Sequence, residues 1–192
     1  MRLVKTILEA AARILEKDGF DGLTTNAIAE RAGISIGSLY EYFPNKEAIL
    51  VAMARNMLAE DEVVMAKAIE AALAVPGSDV VRSAVQALVT LFERKREVRR
   101  VIMFVHVRLG LAEEQILPVQ AIGGLVERLQ GAIFGAPASP VDPVKIFVLV
   151  RAVLGVVRSA FIERSPLLSS DALEEELVTL IRLYASRFGA SG

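Results

Sequence analysis

An all-α protein is predicted by three observations. Apolar residues recur at helical spacing along the whole chain, and no segment shows strand-like alternation bounded by turn residues. Glycine, proline and Asx signals then cut the periodic stretches into about nine helices. The predicted arrangement is a three-helix N-terminal head followed by a larger helical body.

The first helix is predicted over about Arg2 to Lys17, with Val4, Ile7, Leu8, Ala11 and Leu15 on one face and Gly19 as a left-handed stop. Thr24 and Thr25 precede a short helix, Asn26 to Ala32, closed by Gly33. After Ser35 a further short helix covers about Ile36 to Phe43, and Pro44-Asn45 breaks it. Asn45 is the expected N-cap of a long helix from Lys46 to about Leu73. Pro76-Gly77-Ser78 punctuates the chain before a helix that starts near Asp79 and carries Val85, Leu88, Val89 and Phe92. Helices over about Val98 to Leu109 and Pro118 to Phe134 follow. Asp142-Pro143 reads as an N-cap with proline at the first helical position, launching Val144 to Arg164. Asp171 with Glu174 resembles a capping box for the last helix, whose stripe is Leu173, Leu177, Leu180, Ile181, Tyr184 and Phe188.

Composition narrows the function classes. The chain has 192 residues, 54% of them hydrophobic, and a mean hydropathy of +0.48. Such a balance implies apolar surface turned toward a partner subunit or a pocket. The most apolar stretch, Val144 to Ile162, is interrupted by Lys145, Arg151 and Arg158, which excludes a membrane span there. Met1 to Asp18 intersperses charges and has no apolar export core, so a soluble, cytoplasmic protein is expected. There is no cysteine and a single histidine, His106, so no metal site and no cofactor is expected. Net charge is −1, unlike the basic footprint of a nonspecific nucleic-acid binder. The first fifty residues are no more basic: Arg2, Lys5, Arg13, Lys17, Arg31 and Lys46 face Glu9, Glu16, Asp18, Asp21, Glu30, Glu41 and Glu47. Any affinity for DNA must therefore come from where groups point.

The informative segment runs from Thr24 to Lys46. Two short helices meet across Gly33-Ile34-Ser35, with Ile28, Ala29, Ala32, Ile34, Leu39 and Phe43 spaced to pack them against the first helix. Small Ala29 and Ala32 allow close approach, and Gly33 can take the positive φ that the turn needs. The pattern is a helix-turn-helix on its own chemistry.

At Gly22, Thr24, Thr25, Ile28, Ala29, Ala32, Gly33, Ser35, Gly37, Leu39, Tyr40, Tyr42, Phe43, Lys46 and Leu50 the chain resembles the tetracycline-repressor (TetR) family. Ile34 and Ser38 stand where that family commonly has Val and Thr. The resemblance covers the first quarter of the chain and implies a DNA-binding head, residues 1–46, and an effector-binding and dimerisation body, residues 47–192. It further implies phosphate contacts from Thr24 or Thr25, Tyr40, Tyr42 and Lys46, with Ser35 and Gly37 at close approach and Ile36 and Ser38 near base edges. Ile36 suits a thymine methyl group, and Glu41 faces either a cytosine amine or solvent. No Arg, Lys, Asn or Gln lies between Ser35 and Phe43, so specificity is expected to lean on apolar contacts, DNA shape or the arm before the first helix.

In the body, His106 reads either as a satisfied core histidine or as a hydrogen-bonding group of an effector pocket. Pocket walls would come from Met103, Phe104, Val107, Leu125, Val126, Phe134 and Phe147, although core packing explains each equally well. Arg151 and Arg158 share a face of an otherwise apolar helix, where they form ion pairs or, at Arg151, hold a carboxylate-bearing effector. By the resemblance, Val144 to Arg164 and Asp171 to Arg187 form a four-helix dimer interface. The expected function is a homodimeric transcriptional repressor that binds a pseudo-palindromic DNA operator and is released by a small apolar or amphipathic effector. The alternative is an all-α small-molecule or protein-binding module without specific DNA binding. An enzyme is not expected, since a lone histidine would have to serve any triad.

Overall fold

The computed structural model describes residues 2–108 and 142–186, without the side chains of residues 105–108. Among these residues there are eight α-helices, one 3-10 helix and no strand. The helices are α1 (Arg2–Asp18), α2 (Thr25–Ala32), α3 (Ile36–Tyr40), α4 (Lys46–Leu73), α5 (Val80–Glu93) and α6 (Arg96–Arg108), then α7 (Pro143–Ile162) and α8 (Asp171–Ser186), with the 3-10 turn at Pro166–Ser169 between the last two. The helix expected from Pro118 to Phe134, with Leu125, Val126 and Phe134, lies outside the described residues, as do the side chains of His106 and Val107. The chain divides into two compact units, and the division falls between Glu60 and Asp61 inside α4.

The first unit gathers α1, α2, α3, the opening of α4 and α6. Its core is filled by Ile7, Ala11 and Leu15 of α1, Ile28 and Ala29 of α2, and Leu39 with Phe43, closed by Ile49 and Met53 of α4 and by Val98 and Ile102 of α6. Val4, Leu8, Ala32 and Ile34 pack on its margin. Burying a Leu or Ile stabilises by roughly 1.5–3 kcal/mol, so this small head is held by apolar packing more than by its short helices' own propensity. The helix stops are local: Gly19 and Gly33 both take left-handed φ, 68° and 69°, a backbone that only glycine adopts without penalty.

Three departures from expectation have structural causes. The third helix ends at Tyr40, not Phe43, because a residue preceding proline is pushed out of the α region and Phe43 precedes Pro44. The sixth helix begins at Arg96, directly after Lys95 with its positive φ of 49°. The last helix is capped by Ser170, whose Oγ accepts from Leu173 N–H at 3.2 Å. Glu174 does not reach back to complete a capping box, because its carboxylate is bonded to Arg82 and Gln86.

The second unit gathers the rest of α4 with α5, α7, the 3-10 turn and α8. Met65, Ile69, Ala84 and Leu91 form one buried cluster. Phe92 meets Phe161 edge to face with centroids 5.4 Å apart. Asp79, near the expected helix start, caps α5, accepting from Arg82 N–H at 3.1 Å, and Asp142 caps α7 as expected, accepting from Val144 N–H at 2.9 Å. Arg82 ties α5 to α8: its guanidinium lies 2.8 Å from Glu174 and 2.8 Å from Glu175. Arg182 returns from α8 to Asp79 at 2.7 Å.

Candidate nucleic-acid interface

The turn between α2 and α3 is built from its backbone. Gly33 N–H donates to Ala29 and Glu30 carbonyls, and Ile34 N–H donates to Ala29 O at 3.0 Å, which satisfies the carbonyls that end α2. Ser35 then caps α3, its Oγ accepting from Ser38 N–H at 3.0 Å. The two serine hydroxyls also lie 3.0 Å apart. Ser38 is half-buried and its hydroxyl is engaged within the turn.

Thr24 is the N-cap of α2, in extended conformation, with Oγ1 accepting from Ala27 N–H at 3.1 Å. Thr25 is the first residue of the helix and is half-buried. Its hydroxyl meets the Tyr40 hydroxyl at 3.2 Å, so residues from α2 and α3 join at the surface. Tyr40 and Tyr42 are 50% and 48% exposed, which excludes core packing as the purpose of either ring. Ile36 is 38% exposed at the start of α3, and Gly37 and Glu41 are exposed beside it. A Cβ on Gly37 would meet nothing closer than Ser35 Oγ at 3.7 Å, so the fold itself does not require glycine there.

Lys46 opens α4 after the Asn45 cap, whose Oδ1 accepts from Ala48 N–H at 2.8 Å. Its Nζ sits 4.6 Å from the centre of the Phe20 ring, an attraction between a cation and an aromatic face. Sequence reasoning missed Phe20 as a partner. The only signal was an aromatic residue just past the Gly19 stop, and the lysine that meets it lies on a different element.

The expected effector residues fall in both units. Met103 is half-buried and Phe104 61% exposed on α6, in the first unit. Phe147 and Arg151 belong to the second unit, where the guanidinium carbon lies 5.3 Å from the Phe147 ring centre. Phe147 is 58% exposed. Among the described residues no cluster of His, Cys, Asp or Glu could hold a metal ion, and no helix is long and apolar enough to cross a membrane.

Fold and surface together define an all-helical protein with a helix-turn-helix head that presents hydroxyl groups and one aromatic-held lysine. Residues 7–53 match the family model of bacterial regulatory proteins, tetR family. The tetracycline repressor protein class A from transposon 1721 of Escherichia coli is 48% identical over 56 residues, 29% of this chain and 26% of that protein. The HTH-type transcriptional repressor KstR of Mycolicibacterium smegmatis is 45% identical over 47 residues, 24% of this chain and 23% of that one. The matched stretch spans about a quarter of these relatives' length. Over this segment the chain is similar to the tetR family of bacterial regulatory proteins.

Solved structures extend the likeness of fold to the whole chain. A chain from Mesorhizobium loti MAFF303099 has a TM-score of 0.74 at 17% identity, covering 98% of each chain. The Thermus thermophilus repressor FadR in complex with lauroyl-CoA has a TM-score of 0.63 at 21% identity, over 98% of this chain and 95% of that one. The multidrug binding protein EbrR complexed with ethidium has 0.66 at 20% identity, over 93% and 97%.

Proposed function

We propose that the chain is a DNA-binding transcriptional regulator, a homodimeric repressor that leaves its operator when a small apolar or amphipathic effector binds. One observation carries this reading: α2 and α3 pack through Ile28, Ala29 and Leu39 while Thr25, Ile36, Tyr40 and Tyr42 of the same turn remain at the surface. An exposed hydroxyl-bearing helix-turn-helix suits the phosphate backbone, and the exposed start of α3 suits a major groove. The head spans residues 1–46, and residues 47–192 form the effector and dimer body. No enzymatic role is proposed.

Dimerisation is proposed through α7 and α8, the last two helices. Val144, Val148 and Val156 on α7 and Leu180 and Leu183 on α8 leave apolar side chains exposed in the single chain. Two heads joined in this way would read half-sites about 34–36 Å apart on a pseudo-palindromic operator. The effector class follows the lauroyl-CoA and ethidium held by FadR and EbrR. Of the expected effector residues, Phe147 and Arg151, which meet within the second unit, are proposed to contact the effector.

The test is anisotropy titration of labelled duplexes tiling the DNA that flanks the chain's own coding sequence. The reading predicts a specific, salt-dependent complex that weakens in Tyr42→Phe and Lys46→Gln while the dimer persists. No specific complex from a dimeric protein would refute it.

A further inference from the structure

The Thr25–Tyr40 pair has no evident duty in the fold. Thr24 already caps α2 through Oγ1, so the helix does not need the Thr25 hydroxyl. Tyr40 is half exposed and its ring is not part of the core. Yet the two oxygens, fifteen positions apart in the chain, lie 3.2 Å from one another, and either can be the donor. A solvent-exposed bond between neutral hydroxyls adds little to stability, because water competes for both groups.

A phosphate resolves which way that bond points. Its oxygens only accept, so a tyrosine that contacts one must spend its single O–H outward. The phenolic oxygen keeps its lone pairs free to accept from Thr25. The pair then becomes a directed chain: Thr25 Oγ1–H donates to Tyr40 Oη, and Tyr40 Oη–H donates to the phosphate. Each bond polarises the next.

We infer that Thr25 is a positioning residue for DNA binding, acting through Tyr40 by orienting the phenol so that its O–H meets a backbone phosphate. This assignment rests on the DNA-binding reading above. It also separates the neighbouring threonines: Thr24 holds the helix, and Thr25 aims the tyrosine. The contact it serves is with phosphate, so it carries no base preference.

A double-mutant cycle on the full chain tests it, with Thr25→Val, Tyr40→Phe and the pair titrated against the tiled duplexes and one duplex of scrambled sequence. Tyr40→Phe is expected to weaken binding about tenfold, as for loss of a hydrogen bond to a charged group. Thr25→Val should weaken wild-type binding several-fold and leave the Tyr40→Phe protein unchanged. Thr25→Ser should restore wild-type affinity, and the losses should be equal on specific and scrambled DNA. Unchanged thermal melts and dimer mass would separate these effects from misfolding. Additive losses, in which Thr25→Val acts as strongly without the tyrosine hydroxyl, would overturn the inference while sparing DNA binding. So would a wild-type complex indifferent to Thr25→Val. Failure of the wild-type chain to bind any duplex overturns both.

Discussion

Lys46 holds its ammonium 4.6 Å from the centre of the Phe20 ring, at the first position of α4. A positive charge at a helix N-terminus opposes the helix dipole, and the negative face of the ring offsets that penalty. The lysine is thereby kept in a narrow range of orientations at the edge of the helix-turn-helix. Replacing Phe20 with Leu keeps much of the apolar bulk and removes the quadrupole. DNA affinity should fall by roughly 2- to 5-fold, the equivalent of about 0.5–1 kcal/mol for an exposed cation–π contact, as measured by anisotropy at fixed salt.

Removing the charge itself has a different signature. A protein that neutralises one phosphate of duplex DNA shows a logarithmic salt slope of about −0.9. With one Lys46 in each head, Lys46→Gln should flatten the slope of the dimer complex by roughly 2. Tyr42→Phe should lower affinity and leave the slope unchanged, because its hydroxyl is neutral. Titrations over a series of salt concentrations separate the two.

Gly37 offers a prediction in which stability and function move oppositely. Its added Cβ would contact only Ser35 Oγ, at 3.7 Å, and alanine favours the helix over glycine by about 0.5–1 kcal/mol. Gly37→Ala should raise the melting temperature of the free protein while weakening DNA binding, since the methyl group occupies space at the exposed face of α3. A variant that melts higher and binds equally well would show that the glycine is not there for the duplex.

Ile36, exposed at the start of α3, is proposed to make the apolar contact to a base. Substituting deoxyuridine for thymidine, one position at a time through a bound half-site, removes single methyl groups and nothing else. One position should cost about fourfold in affinity, in line with about 0.8 kcal/mol per buried carbon, and Ile36→Ala should erase that sensitivity. Uniform tolerance of deoxyuridine would assign specificity to DNA shape.

The Arg82 bridge predicts an acid limit on the second unit. Burial pulls the Asp79 carboxyl upward, but the Arg82 backbone N–H and the Arg182 guanidinium outweigh it and leave the group below its ordinary 3.8. Hydrogen bonding from Arg82 holds Glu175 below its ordinary 4.5. Carboxyls lowered by folding add stability above those ordinary values, and the contribution is lost as pH falls through the lower, folded ones. Thermal melts against pH should show this loss in the wild type, and Arg82→Met should be less stable near neutrality with a flatter acid limb.

Much of the head was legible because its signals are local. Gly33 and Asn45 announce themselves in sequence, as do the apolar positions Ile28, Leu39 and Phe43, and each does as expected. The end of α3 was overrun because helical spacing continues to Phe43 while Pro44 acts one residue back. Relationships between distant residues left no trace: neither the Thr25–Tyr40 bond nor the Arg82–Glu174 pair has any periodicity or spacing that announces it. Val98 and Ile102 of α6 likewise enter the head's core from a part of the chain that periodicity alone assigns only to some core. Where the effector residues are concerned, apolar character served core and pocket equally, and exposure alone distinguishes Phe104 and Phe147.

The most direct measurement is a nuclease footprint on the DNA flanking the chain's own coding sequence, with the wild-type protein and a Tyr40→Phe, Tyr42→Phe double variant of unchanged fold. Two protected half-sites related by a dyad, centred about one helical turn apart and weakened together in the variant, are the predicted result. A dimeric wild type that protects nothing, or protection that the variant reproduces at the same concentration, would contradict the assignment of α2 and α3 to DNA.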